Sequence, residues 1–254
     1  MIPAFAWGLR RTSVLNGYVN SFFFKPDRYL DVYFRYLDSA LSNQCVVLHL
    51  GAGEDRCGVH KVVFSKSDKI KLISLDINPE NLMRNPNPNI ITADAMKMPL
   101  KASSIDVITC EHFFEHLENP MAVMGECWRV LRPGGKLIFT TPNKWSYIGI
   151  LAMLLPLSFH VFWKTLLEGP NAADKNEICR TYYRFNSIGR IKCVAARSGF
   201  EIEELRTLAG APGYTQIVPG LHLIFVLIHK ILDTFQVLKP LRISIVGRLK
   251  KTDA

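Results

Sequence analysis

The sequence predicts an α/β protein built on a parallel sheet, and three observations carry that prediction. A short apolar run, Val46-Val47-Leu48-His49-Leu50, breaks at Gly51-Ala52-Gly53. Such a run reads as a buried strand, and the glycines let the chain turn tightly and let a ligand approach main-chain N–H groups. A second run, Leu72-Ile73-Ser74-Leu75, ends in Asp76. Further apolar runs alternate with helix-like segments, the order that gives parallel strands joined by right-handed crossovers. A strand, a glycine turn, a helix and a strand ending in a carboxylate hold nucleoside ligands in doubly wound folds. The turn meets the charged end, and the carboxylate takes the ribose hydroxyls. A lone Gly-x-Gly is equally an ordinary turn, so the later elements carry weight.

The segment from Tyr29 to Leu41 places Tyr29, Val32, Tyr33, Tyr36, Leu37 and Leu41 at helical spacing, after an Asp27 that suits an N-cap. This helix is expected on the sheet beside strand one, Cys45 to Leu50. Phe22-Phe23-Phe24 is an apolar knot ahead of it. The polar stretch Glu54 to Asp68 is where the helix after strand one belongs. A short helix starts at Asn78-Pro79, and Asn85-Pro86-Asn87-Pro88-Asn89 is a loop. Strand three is Ile90-Ile91-Thr92, strand four Ile105 to Cys110, and Pro120 to Leu131 a helix ended by Arg132-Pro133-Gly134-Gly135. Strand five is Lys136 to Thr141.

At 254 residues and 48% hydrophobic, the chain can bury a full core and is expected to be one domain, with N-terminal helices over 1–42. The formal charge of +9 admits a phosphate-bearing or anionic-membrane partner, or simply a solvated surface. No nucleic-acid partner is expected. The six cysteines include no C-x-x-C pair, and Cys45 and Cys110 fall in strands, which reads as reduced, buried thiols of an intracellular protein. Met1 to Arg11 lacks an apolar core followed by a small-residue cleavage site, so no signal peptide is expected. The location expected is cytoplasmic, with possible peripheral attachment to a membrane.

By Gly135 the order of features resembles a class I S-adenosylmethionine-dependent methyltransferase. The parts that carry the resemblance are Leu48-x-Leu50-Gly51-x-Gly53, Leu75-Asp76-Ile77, Ala93-Asp94-Ala95, Glu115-His116-Leu117 and Arg129 to Gly135. The resemblance implies a Rossmann-like seven-stranded sheet with the last strand antiparallel, strand six starting at Gly199-Phe200 and strand seven spanning Leu241 to Leu249. It implies S-adenosylmethionine as cofactor. Gly51, Ala52 and Gly53 would admit its methionine part, Asp76 would accept from both ribose hydroxyls, Ile77 would pack on the adenine, Asp94 would accept from the adenine amino group and Ala95 would lie beside the ring. A solvated strand end for Asp76 and a turn cap for Asp94 are the plainer alternatives. Two residues depart from the family pattern: His49 stands where an acid is common, and Asp55 where a third glycine often sits.

His112-Phe113-Phe114-Glu115-His116 spells H-x-x-E-H, which on a helix would put two imidazoles one turn apart for zinc. The methyltransferase context argues against that. Quinone-pathway O-methyltransferases hold a divalent metal with two acids and a histidine at this place, and Glu111, Glu115 and His116 offer those residue types. The alternative, which the expectation of no metal follows, is a helix start with a capping carboxylate and a packed histidine. His116 is the candidate base, with Tyr182 and Tyr183 positioning the acceptor. Thr181 to Ser187 and Ser198-Gly199-Phe200 resemble methyltransferases of surface-polysaccharide and glycolipid clusters.

Trp145 to Trp163 contains no Asp, Glu, Lys or Arg and reads as an apolar lid insertion over 145–180 rather than a membrane span. Leu221 to Leu238 reads as an amphipathic helix, with Leu221, Ile224, Ile228, Ile231, Phe235 and Leu238 on one side and His222, His229, Asp233 and Gln236 on another. Two basic clusters lie near these segments: Arg180, Arg184, Arg190, Lys192 and Arg197, then Lys239, Arg242, Arg248, Lys250 and Lys251. The expectation is methyl transfer, to oxygen first, on an amphipathic small-molecule, glycan or lipid-linked acceptor. The alternative is a non-catalytic module that keeps the fold and binds a membrane or a partner.

Overall fold

The computed structural model describes residues 29–147, 149–150, 180–209 and 219–252. The Phe22 to Phe24 knot, the Asp27 cap and most of the lid insertion lie outside the described residues. In chain order the elements are α1 (Tyr29–Ala40), β1 (Val46–Leu50), α2 (Val59–Lys66), β2 (Lys71–Asp76), α3 (Pro79–Met83), β3 (Ile90–Thr92), β4 (Ile105–Glu111), α4 (Pro120–Val130), β5 (Leu131–Pro142), α5 (Ile188–Arg197), β6 (Phe200–Leu208), α6 (Pro219–Thr234) and β7 (Ser244–Lys251). A single 3-10 turn covers Phe114–His116, and a 3-10 helix of six residues covers Gln236–Leu241.

The seven strands run in the order β3-β2-β1-β4-β5-β7-β6, with the last strand antiparallel. Strands β1, β2 and β4 and the Leu137–Phe139 stretch of β5 are mostly apolar and buried, as strands covered on both faces of a parallel sheet are. Register brings their carboxyl ends level: Leu50 pairs with Leu75, Asp76 with Thr92 and Glu111 with Thr140. The strand order reverses between β1 and β4, and in open α/β sheets ligands bind at that switch point.

Three elements differ from the sequence reading. The helix after β1 is only Val59–Lys66, because the chain first spends Glu54 to Gly58 on a polar turn. Strand β5 begins at Leu131 rather than Lys136: Ile105 pairs with Leu131 but Val107 with Lys136, so Arg132 to Gly135 loop out inside the strand. Gly134, at φ +72°, makes that excursion possible. Helix α1 packs on β5 as well as α2. Its Tyr33 and Leu37 are fully buried, each worth roughly 1.5–3 kcal/mol of transfer free energy.

The chain divides into two compact units. One holds residues 29–142, 181–206 and 245–254, and with them nearly all of the sheet. The other holds residues 1–28, 143–180 and 207–244, and with them α6. Within the second unit, Asn143 donates to the carbonyls of Pro240 and Arg242, and Tyr147 shares a hydrogen bond with His229.

Helix α6 turns its faces the opposite way from a surface helix. His222, Val226, His229 and Leu232 are buried, whereas Leu223, Ile224, Leu227, Ile228, Ile231 and Phe235 are exposed. The spacing identified the stripe; which side faces solvent depended on what Tyr147 and its neighbours offered the histidines. Among the described residues no helix is long and apolar enough to cross a membrane.

The second basic cluster is largely spoken for. Arg242 is buried and donates to the carbonyls of Leu232, Thr207 and Asp233. Lys251 is buried, donates to Leu131 O at 2.7 Å and lies over the Trp128 ring. Arg248 pairs with Glu203 at 2.9 Å. Each satisfies a group inside the fold, so none of the three is a headgroup cation.

Candidate functional site

The site is built at the carboxyl ends of β1, β2, β3 and β4. After β1 the chain takes three left-handed residues in alternation, Gly51 at φ +63°, Gly53 at +41° and Asp55 at +55°. A Cβ on Gly51 would sit 2.6 Å from the Phe113 ring, so only glycine fits there. Asp55 shows why a glycine is common at the third place: the backbone is left-handed, a conformation aspartate tolerates better than most side chains. The Asp76 carboxylate closes the turn. One oxygen accepts from Gly53 N and the other from Asn78 N, both at 2.9 Å. A carboxylate has about four lone-pair sites, so both oxygens keep capacity for a ligand.

Beyond it, Ile77 is 71% exposed and Met96 46%, while Ala95 is buried. Asp94 caps its own turn, one oxygen accepting from Met96 N at 2.8 Å, which is the plainer of its two readings. The glycine turn, the half-satisfied Asp76 and the bare Ile77 thus fit a nucleoside-bearing cofactor.

After β4 the chain makes a turn held from below by aromatic rings. Phe114 is fully buried, stacked on Phe185 at 4.2 Å between centroids and edge-on to Phe139. This anchors His112, itself left-handed at φ +48°. His112 Nδ1 lies 3.0 Å from Glu115 Oε1, and Nε2 lies 3.4 Å from the Tyr29 hydroxyl. Glu115 is buried; its other oxygen accepts from Thr141 Oγ1 at 3.1 Å, and its carbonyl from Tyr182 N at 2.7 Å and Tyr183 N at 3.3 Å. Burial would lower the His112 pKa, but the Glu115 hydrogen bond and the charges of Glu115 and Glu111 outweigh it and hold the value above normal. Tyr182 and Tyr183 are therefore tethered, through their backbone N–H groups, to the main-chain carbonyl of the residue whose carboxylate holds His112.

His116 ends the 3-10 turn. Among the described residues, Glu111, Glu115 and His116 do not converge as a ligand set, and the segment is not the regular helix that H-x-x-E-H zinc binding needs. The histidine that the carboxylates hold is His112. Sequence reasoning weighed it only as a zinc ligand, although its three-residue spacing to Glu115 was the available signal.

A second cluster went unread. Asp55 is buried, and its oxygens accept from Val59 N at 2.8 Å and His60 N at 3.0 Å, capping α2. The His60 ring bonds the same carboxylate. His49, buried in β1, has its Nδ1 3.8 Å from Asp55 Oδ1 and without a hydrogen-bond partner. Burial lowers its pKa to about 4 against the opposing charges of Asp55 and Asp76. Near α4, a cleft of about 460 Å³ is lined by Met96, Glu118, Asn119, Pro120, Met121, Arg184 and Arg190.

Residues 48–139 match the family model described as a methyltransferase domain. The strand order above is the Rossmann-like arrangement that this chain's methyltransferase structural neighbours share. Among solved structures, an S-adenosylmethionine-dependent methyltransferase from Archaeoglobus fulgidus superposes with a TM-score of 0.57 at 15% identity, over 92% of this chain and 99% of that one. The [4+2]-cyclase SpnF superposes at 0.56 and 15% identity, over 89% and 82%. At such identities the likeness shows the fold alone, and SpnF's name shows that the fold also serves other chemistry. A ubiquinone biosynthesis O-methyltransferase from Pseudomonas putida is 36% identical over 84 residues, covering 29% of this chain and 35% of that protein. The chain spans between a quarter and about a third of the length of the curated relatives it matches.

Proposed function

We propose that the protein transfers a methyl group from S-adenosylmethionine to an oxygen of an amphipathic acceptor. The observation that carries this reading is the closure of the Gly51–Gly53 turn by Asp76, with a carboxylate-held histidine on the neighbouring strand end. Gly51, Ala52 and Gly53 would admit the methionine part, Asp76 the ribose, and Ile77, Asp94 and Ala95 the adenine. When bound, the cofactor supplies a methyl group already activated by its sulfonium. The chain's own task is then to align an acceptor, exclude water and take a proton.

His112 is better placed for that proton than His116. Glu115 fixes its Nδ1–H, which leaves Nε2 as the accepting atom, and Thr141 and Asn186 hold the carboxylate in turn: Asn186 Nδ2 donates to Thr141 Oγ1 at 2.6 Å. Tyr182 and Tyr183 hang from the same Glu115 carbonyl and would position the acceptor. Arg184 and Arg190 in the nearby cleft suit an acceptor bearing an anionic group. The P. putida relative, named for O-methylation, supports oxygen as the target.

Calorimetry with S-adenosylmethionine tests the reading. Micromolar binding is expected, and absence of binding at millimolar ligand would sink it.

The exposed face of α6 supports peripheral attachment to an anionic lipid surface. Of the fifteen large apolar side chains exposed among the described residues, ten, including Trp145 and Val237, belong to the unit that contains α6. Lys230 and Lys239 border the stripe, each worth about 1 kcal/mol near such a surface. Pelleting with anionic liposomes at low salt, weaker at high salt, is the expected result; equal recovery with neutral vesicles would remove the electrostatic part.

A further inference from the structure

We propose that His49, Asp55 and Cys57 form a binding site for a single zinc-class divalent ion behind the glycine turn. The His49 Nδ1, Asp55 carboxylate oxygen and Cys57 Sγ lie within 4.8 Å of one another, and no other set of three such atoms does so among the described residues. The His49 and Cys57 atoms stand 3.8 Å and 4.0 Å from Asp55 Oδ1. These distances are too long for good hydrogen bonds to Asp55 and suit donors grouped around one cation.

Three further observations point the same way. The His49 ring is 3% exposed, its Nδ1 is aimed at this cluster, and that atom has no hydrogen-bond partner, which a buried polar atom does not afford without cause. Asp55 is held on both oxygens by Val59 N, His60 N and the His60 ring, so its free lone pair is fixed toward His49 and Cys57. Such orientation by outer groups is what metal ligands require. The two residues that depart from the methyltransferase pattern, His49 and Asp55, are also the two that meet here.

One nitrogen, one oxygen and one sulfur ligand match zinc's preferences and leave a fourth position. On binding, the Cys57 thiol gives its proton to solvent and its sulfur bonds the metal, with no change of oxidation state.

The inference is independent of methyl transfer, and its test needs neither cofactor nor acceptor. Chelator-stripped protein is titrated with Co²⁺ and followed by absorbance. A thiolate-to-cobalt charge-transfer band that saturates at one ion per chain and is abolished by Zn²⁺ is expected. Cys57→Ser should remove the band and weaken Zn²⁺ binding at least tenfold, and His49→Gln should weaken it similarly. Cys193→Ser, which alters an exposed thiol remote in sequence, should leave the band intact. Circular dichroism reports whether each variant folds; should His49→Gln unfold, the half-buried Cys57 variant decides alone. No band with the native chain, or a band that survives Cys57→Ser, overturns the proposal.

Discussion

At the scale of single residues, the site is built on carboxylates that brace the backbone and keep lone pairs for the proposed ligand. Asp76 braces Gly53 and Asn78 while keeping lone pairs outward. Asp76→Ala removes two prospective charge-assisted hydrogen bonds to the ribose, each worth roughly 1.5–3 kcal/mol, and also loosens the turn. Calorimetry should show S-adenosylmethionine binding weakened at least tenfold; undiminished affinity would mean that the carboxylate does not face the ribose. His112 makes the opposite kind of prediction. Its pKa is raised, so the neutral, proton-accepting form grows as pH climbs through a value above the ordinary ~6.5 of histidine. The methyl-transfer rate should rise across that interval and flatten beyond it. The stability that the Glu115 contact adds follows the reverse course: it is complete below the unfolded value and lost as pH rises through the folded one. His112→Gln should lower kcat by about 10²–10⁴ with little change in cofactor affinity. A variant that keeps kcat and the same pH profile would return the base role to another residue, His116 first.

At the scale of elements, α6 has two faces with different duties. Its buried side carries His222, Val226 and His229, the last bonded to Tyr147, and its outer side carries the aliphatic stripe. Replacing Ile228, Ile231 and Phe235 together with Ser should leave the thermal transition within a few degrees of the parent, because those side chains are already exposed, and should release the protein from anionic liposomes. His229→Ala should instead cost about 1–3 kcal/mol by emptying a fully buried position and leaving the half-buried Tyr147 hydroxyl without its partner. Urea denaturation measures both. A triple variant that unfolds would show that the stripe is packed rather than free. The 112–117 turn teaches the same lesson. Its H-x-x-E-H spelling suits a zinc helix, yet Phe114, seated between Phe139 and Phe185, holds it as a 3-10 turn. Burying that ring outweighs extending a helix by one turn.

At the scale of the whole molecule, a ligand that binds only the folded chain must raise its stability. S-adenosylmethionine at a hundred times its Kd should add about 2.7 kcal/mol, which for a chain of this size is a Tm rise of roughly 5–11 °C. Thermal scans with and without the ligand check this, and an unchanged Tm would oppose the proposed function. What the sequence by itself determined was the sheet and the residues gathered at its carboxyl edge. Continuous apolar runs, glycines at tight turns and a carboxylate at a strand end are local signals, and they located β1 to β4 and put Gly51, Gly53 and Asp76 at the carboxyl edge of the sheet. Tertiary structure decided which polar groups meet across the fold. Packing α1 on the sheet brought Tyr29 to His112 from 83 residues away, and the turn after β1 carried Asp55 and Cys57 back to His49. It also decided that α6 buries its histidines and bares the Ile224, Ile228 and Ile231 stripe, and that Arg242 and Lys251 turn inward to cap carbonyls. Spacing along a chain fixes which residues share a face, but which face is covered depends on what the rest of the chain presents to it.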